Sequence, residues 1–272
     1  MKRRLILLID FSEYSVQLIK YANTLARYTN AVLLLVHQNT FLTPGLSDIE
    51  SKANIISKSN EDAIERLKEM ARTHVHESIN LSILVNDIPL QFTINHLIKE
   101  EYENLIFLGL KGTGFFKQVF IGSMALQLIE KTENIMIALP SGIDVFSQER
   151  IYVYVSESNP INLIELNNFL KFIHNEHAQL IFITVTNSKL LLRETERKML
   201  ELVALFEHRF KTGYRVYQSD NALDEIKKVI NNKIDEILVV QKKNRIFTDY
   251  FLKTNIMNEL VTEGKTPLVI LP

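Results

Sequence analysis

Between residues 109 and 123 the chain reads Gly109-Leu-Lys-Gly112-Thr-Gly114-Phe-Phe-Lys-Gln-Val-Phe-Ile-Gly122-Ser123. Such a stretch is suited to holding phosphate. Glycine lets backbone pass close to a bound group because no Cβ intervenes. The apolar run Leu105–Leu108 precedes the glycines, and a helical pattern begins at Ser123. A helix starting there offers unpaired N–H donors and the positive end of its dipole, which suits an anion. Ser123 is equally suited to cap that helix, a role compatible with phosphate contact. Asp10 and His37 each stand just past an apolar run, Leu5–Ile9 and Ala31–Val36. In doubly wound sheets, ligands bind beyond the carboxyl ends of the strands. Asp10, His37 and Gly109 are therefore expected on one edge, facing a phosphate-bearing ligand.

Competing signatures fail on the residues. A Walker A loop over Gly109–Gly114 would need a lysine where Phe115 stands, and a dinucleotide fingerprint from Gly112 would need a glycine at Lys117. Lys111 and Lys117 read as solvated loop residues. No general base beside the phosphates can be named, so binding ranks above catalysis and no catalytic residue is assigned. His74, His76 and Glu77 lack a fourth ligand element, and no metal site is assigned.

The elements that must position these residues alternate. In the first half, strand-like runs at Leu5–Ile9, Ala31–Val36, Leu81–Val85, Leu105–Leu108 and Ile135–Leu139 are interleaved with helical patterns after Ser12, at Glu61–His74, at Pro89–Glu101 and after Gly122. Ser12 is placed to cap the first helix, and Thr40–Ser51, with Pro44-Gly45, reads as a loop. The second half repeats the order: Ile151–Val155, Ile161–His174, Leu180–Val185, Leu191–Phe210, Arg215–Tyr217, Leu223–Asn232, Ile237–Val240, Asn255–Thr262 and Leu268–Leu271. Alternation of this kind implies mostly parallel sheets with helices on both faces.

The repetition is also visible residue by residue. Shifting Glu103–Pro140 by 132 positions lays it without a gap on Asp235–Pro272, matching Lys111 with Lys243, Phe115 with Phe247 and Leu128 with Leu260. Arg4-Leu-Ile-Leu-Leu-Ile similarly matches Arg150-Ile-Tyr-Val-Tyr-Val. The expectation is an α/β chain of two tandem doubly wound domains, residues 1–143 and 147–272, each with a five-stranded, mostly parallel sheet. Ser141–Glu149 would join them closely, without a loose linker. The glycines do not survive in the second copy, where Gln241, Asn244, Thr254 and Asn255 replace Gly109, Gly112, Gly122 and Ser123, and Ser156 replaces Asp10. A second domain that keeps the fold without this phosphate loop is expected.

Composition sets the outer limits. With 46% hydrophobic residues the chain can bury a core in each half, and its net charge of -1 gives no footprint for nucleic acid or an anionic membrane. It has no cysteine, which excludes disulfides and thiol chemistry. The basic start is followed by an apolar run too short for a signal core or a membrane span. A cytoplasmic location is expected.

The spacing Gly109-x2-Gly112-x9-Gly122-Ser123, with Asp10-Phe-Ser12-Glu-Tyr-Ser15 after the first strand and the closing Ile135-Met-Ile-Ala-Leu-Pro140, resembles the ATP-binding universal stress proteins. The resemblance covers the first half in element order and the second by order and terminal pattern, as in tandem members. It implies a stress-response or regulatory protein whose first domain holds ATP, alone or with Mg2+. Asp10 would then lie beside the adenosine, and the end of the second strand, at His37 and Gln38, would meet the adenine through its backbone. Gln38 stands where an aliphatic residue is usual. Gly109 and Gly112 would wrap ribose and phosphates, and Gly122 and Ser123 would supply N–H donors to the phosphates. The resemblance also implies pairing of domains through their last strands, Ile135–Leu139 beside Leu268–Leu271, with a homodimer as a further possibility. The alternatives left open are a nucleotide-free interaction module and a slow ATP hydrolase.

Overall fold

Leu5, Ile6 and Leu7, like Leu33, Leu35 and Val36, are fully buried, as continuous apolar strands must be when both faces of a sheet are covered. The computed structural model describes residues 1–40, 49–109, 123–140, 142–156, 160–173, 175, 177–187, 192–220, 225, 228, 236–242 and 266–272. Along the first half run β1 (Lys2–Leu8), α1 (Glu13–Thr29), β2 (Val32–Gln38), α2 (Ile49–His74), β3 (Leu81–Asn86), α3 (Leu90–Leu97), β4 (Tyr102–Gly109), α4 (Ser123–Lys131) and β5 (Met136–Leu139). Then come β6 (Arg150–Tyr154), α5 (Leu163–Leu170), β7 (Gln179–Thr186), α6 (Leu192–Phe206), β8 (Lys211–Gln218), β9 (Glu236–Gln241) and β10 (Leu268–Leu271).

These strands form one sheet in the order β3-β2-β1-β4-β5-β10-β9-β6-β7-β8. The second half of that order is the first reversed. Neighbours run parallel except at the centre, where β5 and β10 pair antiparallel through Leu268 opposite Ala138 and Ile270 opposite Met136. The two closing strands thus lie side by side, as the sequence leads one to expect. Because side chains alternate between faces, Leu5 and Leu7 share one apolar layer with α1, α2, α5 and α6, whereas Ile6 and Ile106 face α3 and α4. The connecting segment is packed rather than slack. Phe146 sets its ring edge-on to Tyr21 of α1 at 5.2 Å, and Ile143 is fully buried.

Several expected boundaries move. Helix α2 starts at Ile49, inside the stretch read as loop, because residues 53–60 are mostly exposed or half-buried and leave no apolar stripe to read. The third helix ends at Leu97, short of Glu101, and β4 starts at Tyr102, before its apolar run. Helix α5 likewise occupies only Leu163–Leu170 of the span Ile161–His174. Helix α6 stops at Phe206, and β8 is eight residues long where three were expected. That last strand is an edge, half-exposed along its length, so it carries no continuous apolar run. Ser12 occupies the N-cap of α1 without a side-chain cap bond. Its hydroxyl donates to Asp10 instead, at 2.5 Å. Leu223–Asn232 and Asn255–Thr262 lie essentially outside the described residues.

Glu103 of β4 ties the halves together. It is 3.5 Å from Arg3 and accepts from Lys171 Nζ at 2.9 Å, while Arg3 lies over the ring of Phe172. Partial burial pushes the Glu103 carboxyl up, but hydrogen bonds and charge from Lys171 and Arg3 outweigh it and hold the group below its ordinary value. A lowered carboxylate stabilises the fold above its unfolded pKa, and that contribution disappears as pH falls through the folded value. Glu103→Gln is therefore expected to cost about 0.5–1 kcal/mol at pH 7, the range of solvent-screened pairs. As the pH is lowered from 7 through and below the ordinary carboxylate range, the gap between the urea midpoints of the variant and the native protein should narrow progressively.

Candidate functional site

Strand β1 ends and the chain turns sharply. Phe11 adopts φ 59, the left-handed region that side chains larger than glycine's seldom enter. The turn closes on Asp10, whose Oδ1 accepts from Ser12 N at 2.9 Å, Ser12 Oγ at 2.5 Å and Ser15 Oγ at 3.1 Å. One carboxylate oxygen thereby fixes the entry into α1. Asp10 itself remains exposed, at the mouth of a cavity of about 200 Å3. Gly109, at the end of β4, lines the same cavity, as do Leu90 at the start of α3 and Ala125 and Leu128 of α4. Asp10 and Gly109 are thus brought together, as their strand-end positions demand.

Gly109 has no positive φ, and a Cβ built there would meet Tyr14 Cβ at 3.4 Å, an ordinary contact. Its lack of a side chain makes room beside Tyr14 rather than permitting a special turn. Ser123 opens α4, whose first turn carries no acidic residue to oppose an anion. Gly112 and Gly122 lie outside the described residues, as does the side chain of Ser123.

His37 and Gln38 end β2, apart from the cavity at Asp10, and their side chains are engaged structurally. His37 Nδ1 donates to the Ile9 carbonyl at 2.7 Å, and Nε2 lies 3.0 Å from Asn39 Oδ1. Gln38 Oε1 accepts from Leu90 N at 3.1 Å, satisfying an N–H donor at the start of α3. Phe11 and Arg66 were not singled out by the sequence. The Phe11 ring lies 4.4 Å from that of His37, and the Arg66 guanidinium stands 4.2 Å from the centroid of the Phe11 ring. Neither residue carries a sequence signal, because a large side chain argues against the positive φ that Phe11 adopts.

The corresponding place in the second half is filled. Gln241 pairs with Leu271 as Gly109 pairs with Leu139, so the two occupy the same register position. The Gln241 side chain accepts from Asn162 N at 3.0 Å and donates to the Pro272 carbonyl. Asn162 in turn caps α5 by accepting from Ile164 N and Glu165 N. Donors that could face a ligand are thus taken up by the protein's own side chains. Among the described residues no group of three or more His, Asp or Glu could hold a metal ion, and no helix is long and apolar enough to cross a membrane.

Comparison with known proteins agrees with this architecture. Residues 1–137 match the model of the universal stress protein family. Among solved structures, a universal stress protein from Archaeoglobus fulgidus DSM 4304 is 14% identical, with 98% of this chain and 97% of that chain covered at a TM-score of 0.68. A protein of unknown function from Pseudomonas aeruginosa PAO1 is also 14% identical, with 99% and 92% covered at a TM-score of 0.56. The cytoplasmic domain of a prokaryotic cation chloride cotransporter is 10% identical, with 100% and 96% covered at a TM-score of 0.60. At these identities the likeness is one of fold. No curated protein matches the chain.

Proposed function

Because the chain belongs to the universal stress protein family, over residues 1–137, we propose that its first half binds an adenine nucleotide, ATP in the first instance, as a stress-response or regulatory signal. The observation that carries this reading is the meeting of Asp10 and Gly109 in one cavity at the carboxyl ends of adjacent strands. Asp10 offers an exposed acceptor for ribose hydroxyls, pre-oriented by its three hydrogen bonds. The start of α4 offers backbone donors for phosphate. The cavity of about 200 Å3 is smaller than typical pockets of ~300–1,000 Å3, so the nucleotide would extend over the protein's edge. Such an open site favours exchange over hydrolysis. Asp10, an acidic residue lining it, is held by its three donors to meet the ribose rather than the phosphates. The second half acts as the internal partner, joined through β5 and β10.

A second reading has one observation in its favour. The Phe11 ring fills space beside His37, where the family resemblance places the adenine. A nucleotide-free interaction module would need no such space.

The test begins with protein purified, denatured and searched for released nucleotide by mass spectrometry, followed by titration with ATP, with and without magnesium. Binding in the micromolar range is expected, weakened at least tenfold, about 1.4 kcal/mol, by Asp10→Asn. A Gly122→Val variant should lose it as well. Absence of bound nucleotide together with no binding at ~1 mM ATP, which limits the binding free energy to weaker than about -4 kcal/mol, would leave the interaction module as the reading.

A further inference from the structure

We infer that the second half carries a separate site for an uncharged, mainly apolar small molecule bearing one or two hydrogen-bonding groups. A cavity of about 610 Å3 lies beyond the ends of β6 and β7, beneath α6, well within the ~300–1,000 Å3 of small-molecule sites. It is three times the size of the cavity at Asp10, and it owes nothing to the glycine loop.

Strand register identifies which residues have changed. Arg4 of β1 pairs with Val32, and Arg150 of β6 pairs with Gln179. Five positions further along β2 and β7, His37 corresponds to Thr184; six along from Arg4 and Arg150, Asp10 corresponds to Ser156. Thr184 and Ser156 both line the larger cavity. Two ionisable groups have thus become two hydroxyls, which can donate or accept without charge. In the first half the region at the end of β2 holds the rings of Phe11 and His37 with Arg66 above. In the second half, helix α6 instead presents Met199, Leu202 and Leu205 to an open space.

The charges at this site stand at its rim and are accounted for. Lys198 pairs with Glu194 at 2.8 Å, with both side chains more than half exposed. Glu201 faces Arg197 at 3.9 Å. The lining therefore holds two carboxylates and one ammonium, the wrong balance for a phosphate or carboxylate ligand. What remains is apolar area with a few fixed hydroxyls, which selects a neutral ligand by shape and by one or two hydrogen bonds. The site does not depend on nucleotide binding in the first half.

N-phenyl-1-naphthylamine, a neutral probe with an apolar body and a single N–H, tests the assignment directly. Its fluorescence should rise saturably on titration with the full-length protein, near one probe per chain, and should be unaffected by excess ATP. Leu202→Glu is expected to weaken binding at least tenfold. Leu205 is 52% exposed, so Leu205→Glu should leave the fold intact and still weaken binding about threefold. Circular dichroism checks both variants, and Leu205→Glu decides the matter if Leu202→Glu does not fold. A non-saturating signal, displacement of the probe by ATP, or unaltered binding in the folded glutamate variants would overturn the proposal.

Discussion

Arg150→Met should destabilise the protein by about 3 kcal/mol, because it leaves the fully buried Glu236 without the partly exposed cation that compensates it. Arg150 Nη1 lies 3.2 Å from Glu236 Oε1, and the Glu236 side chain has no exposed area. The pair is set by strand register, since Arg150 of β6 stands opposite Glu236 of β9. The phenol of Tyr152 reports the same neighbourhood: burial first, and the Glu236 charge second, push it up. Without the guanidinium, Glu236 would have to ionise uncompensated or take up a proton, and either outcome penalises the folded state. The first half supplies an internal control. Arg4 occupies the matching position opposite Asn104, a neutral side chain, and its carboxylate partner, Glu100, is 43% exposed and can rehydrate. Arg4→Met should accordingly cost less, about 1–3 kcal/mol for the polar groups left unsatisfied. Urea melts of the two variants decide the order. Replacing both members, as Arg150→Met with Glu236→Leu, should recover most of the loss; a double variant no better than Arg150→Met would refute the buried-charge account.

That contrast also marks what a sequence can disclose. The repeat aligns Arg4 with Arg150 and Asn104 with Glu236, so the two pairs are visible as aligned positions before any strand is placed. Their burial is not visible, because it depends on which strands become neighbours. The central strands were legible for the opposite reason: β1, β2, β9 and β10 are covered on both faces and read as unbroken apolar runs. Strand β8, at the sheet edge, has no such cover and was seen only in part. Helix α2 was missed at its amino end because Ile55 is exposed and the surrounding residues project into solvent.

At the site, Asp10 and Gly109 could be placed together because strand ends in a parallel sheet share an edge. His37 and Gln38 share that edge too, but their side chains were not predictable. His37 turns sideways to the Ile9 carbonyl of the neighbouring strand, and Gln38 reaches forward to Leu90 N. Both hydrogen-bond partners, an acceptor for His37 and a donor for Gln38, are tertiary neighbours 28 and 52 residues away in sequence. Phe11 gave no local signal either, since a large side chain seldom enters the positive-φ region it occupies here.

Phe11 also bears directly on the proposed nucleotide site. Holding a phenyl-bearing residue at φ 59 costs about 1–3 kcal/mol. Against this stand partial burial of the ring on the core, contact with His37 at 4.4 Å and the Arg66 guanidinium at 4.2 Å. The aromatic contact contributes about 0.5–1.5 kcal/mol and the cation–π contact about 0.5–2 kcal/mol. The balance is close, so the ring can be removed without unfolding the protein. Phe11→Gly should be more stable than Phe11→Ala by about 1 kcal/mol, the reverse of the order in ordinary backbone, because glycine enters the left-handed region freely. If the nucleotide base belongs at the end of β2, Phe11→Gly also clears a ring-sized slot beside His37. ATP affinity should then rise about tenfold, corresponding to roughly 1.4 kcal/mol. Calorimetric titration of the glycine and alanine variants separates the two effects: relief of strain moves stability alone, whereas clearing the slot tightens binding in both. Weaker ATP binding in both folded variants would instead make Phe11 a surface on which the base stacks.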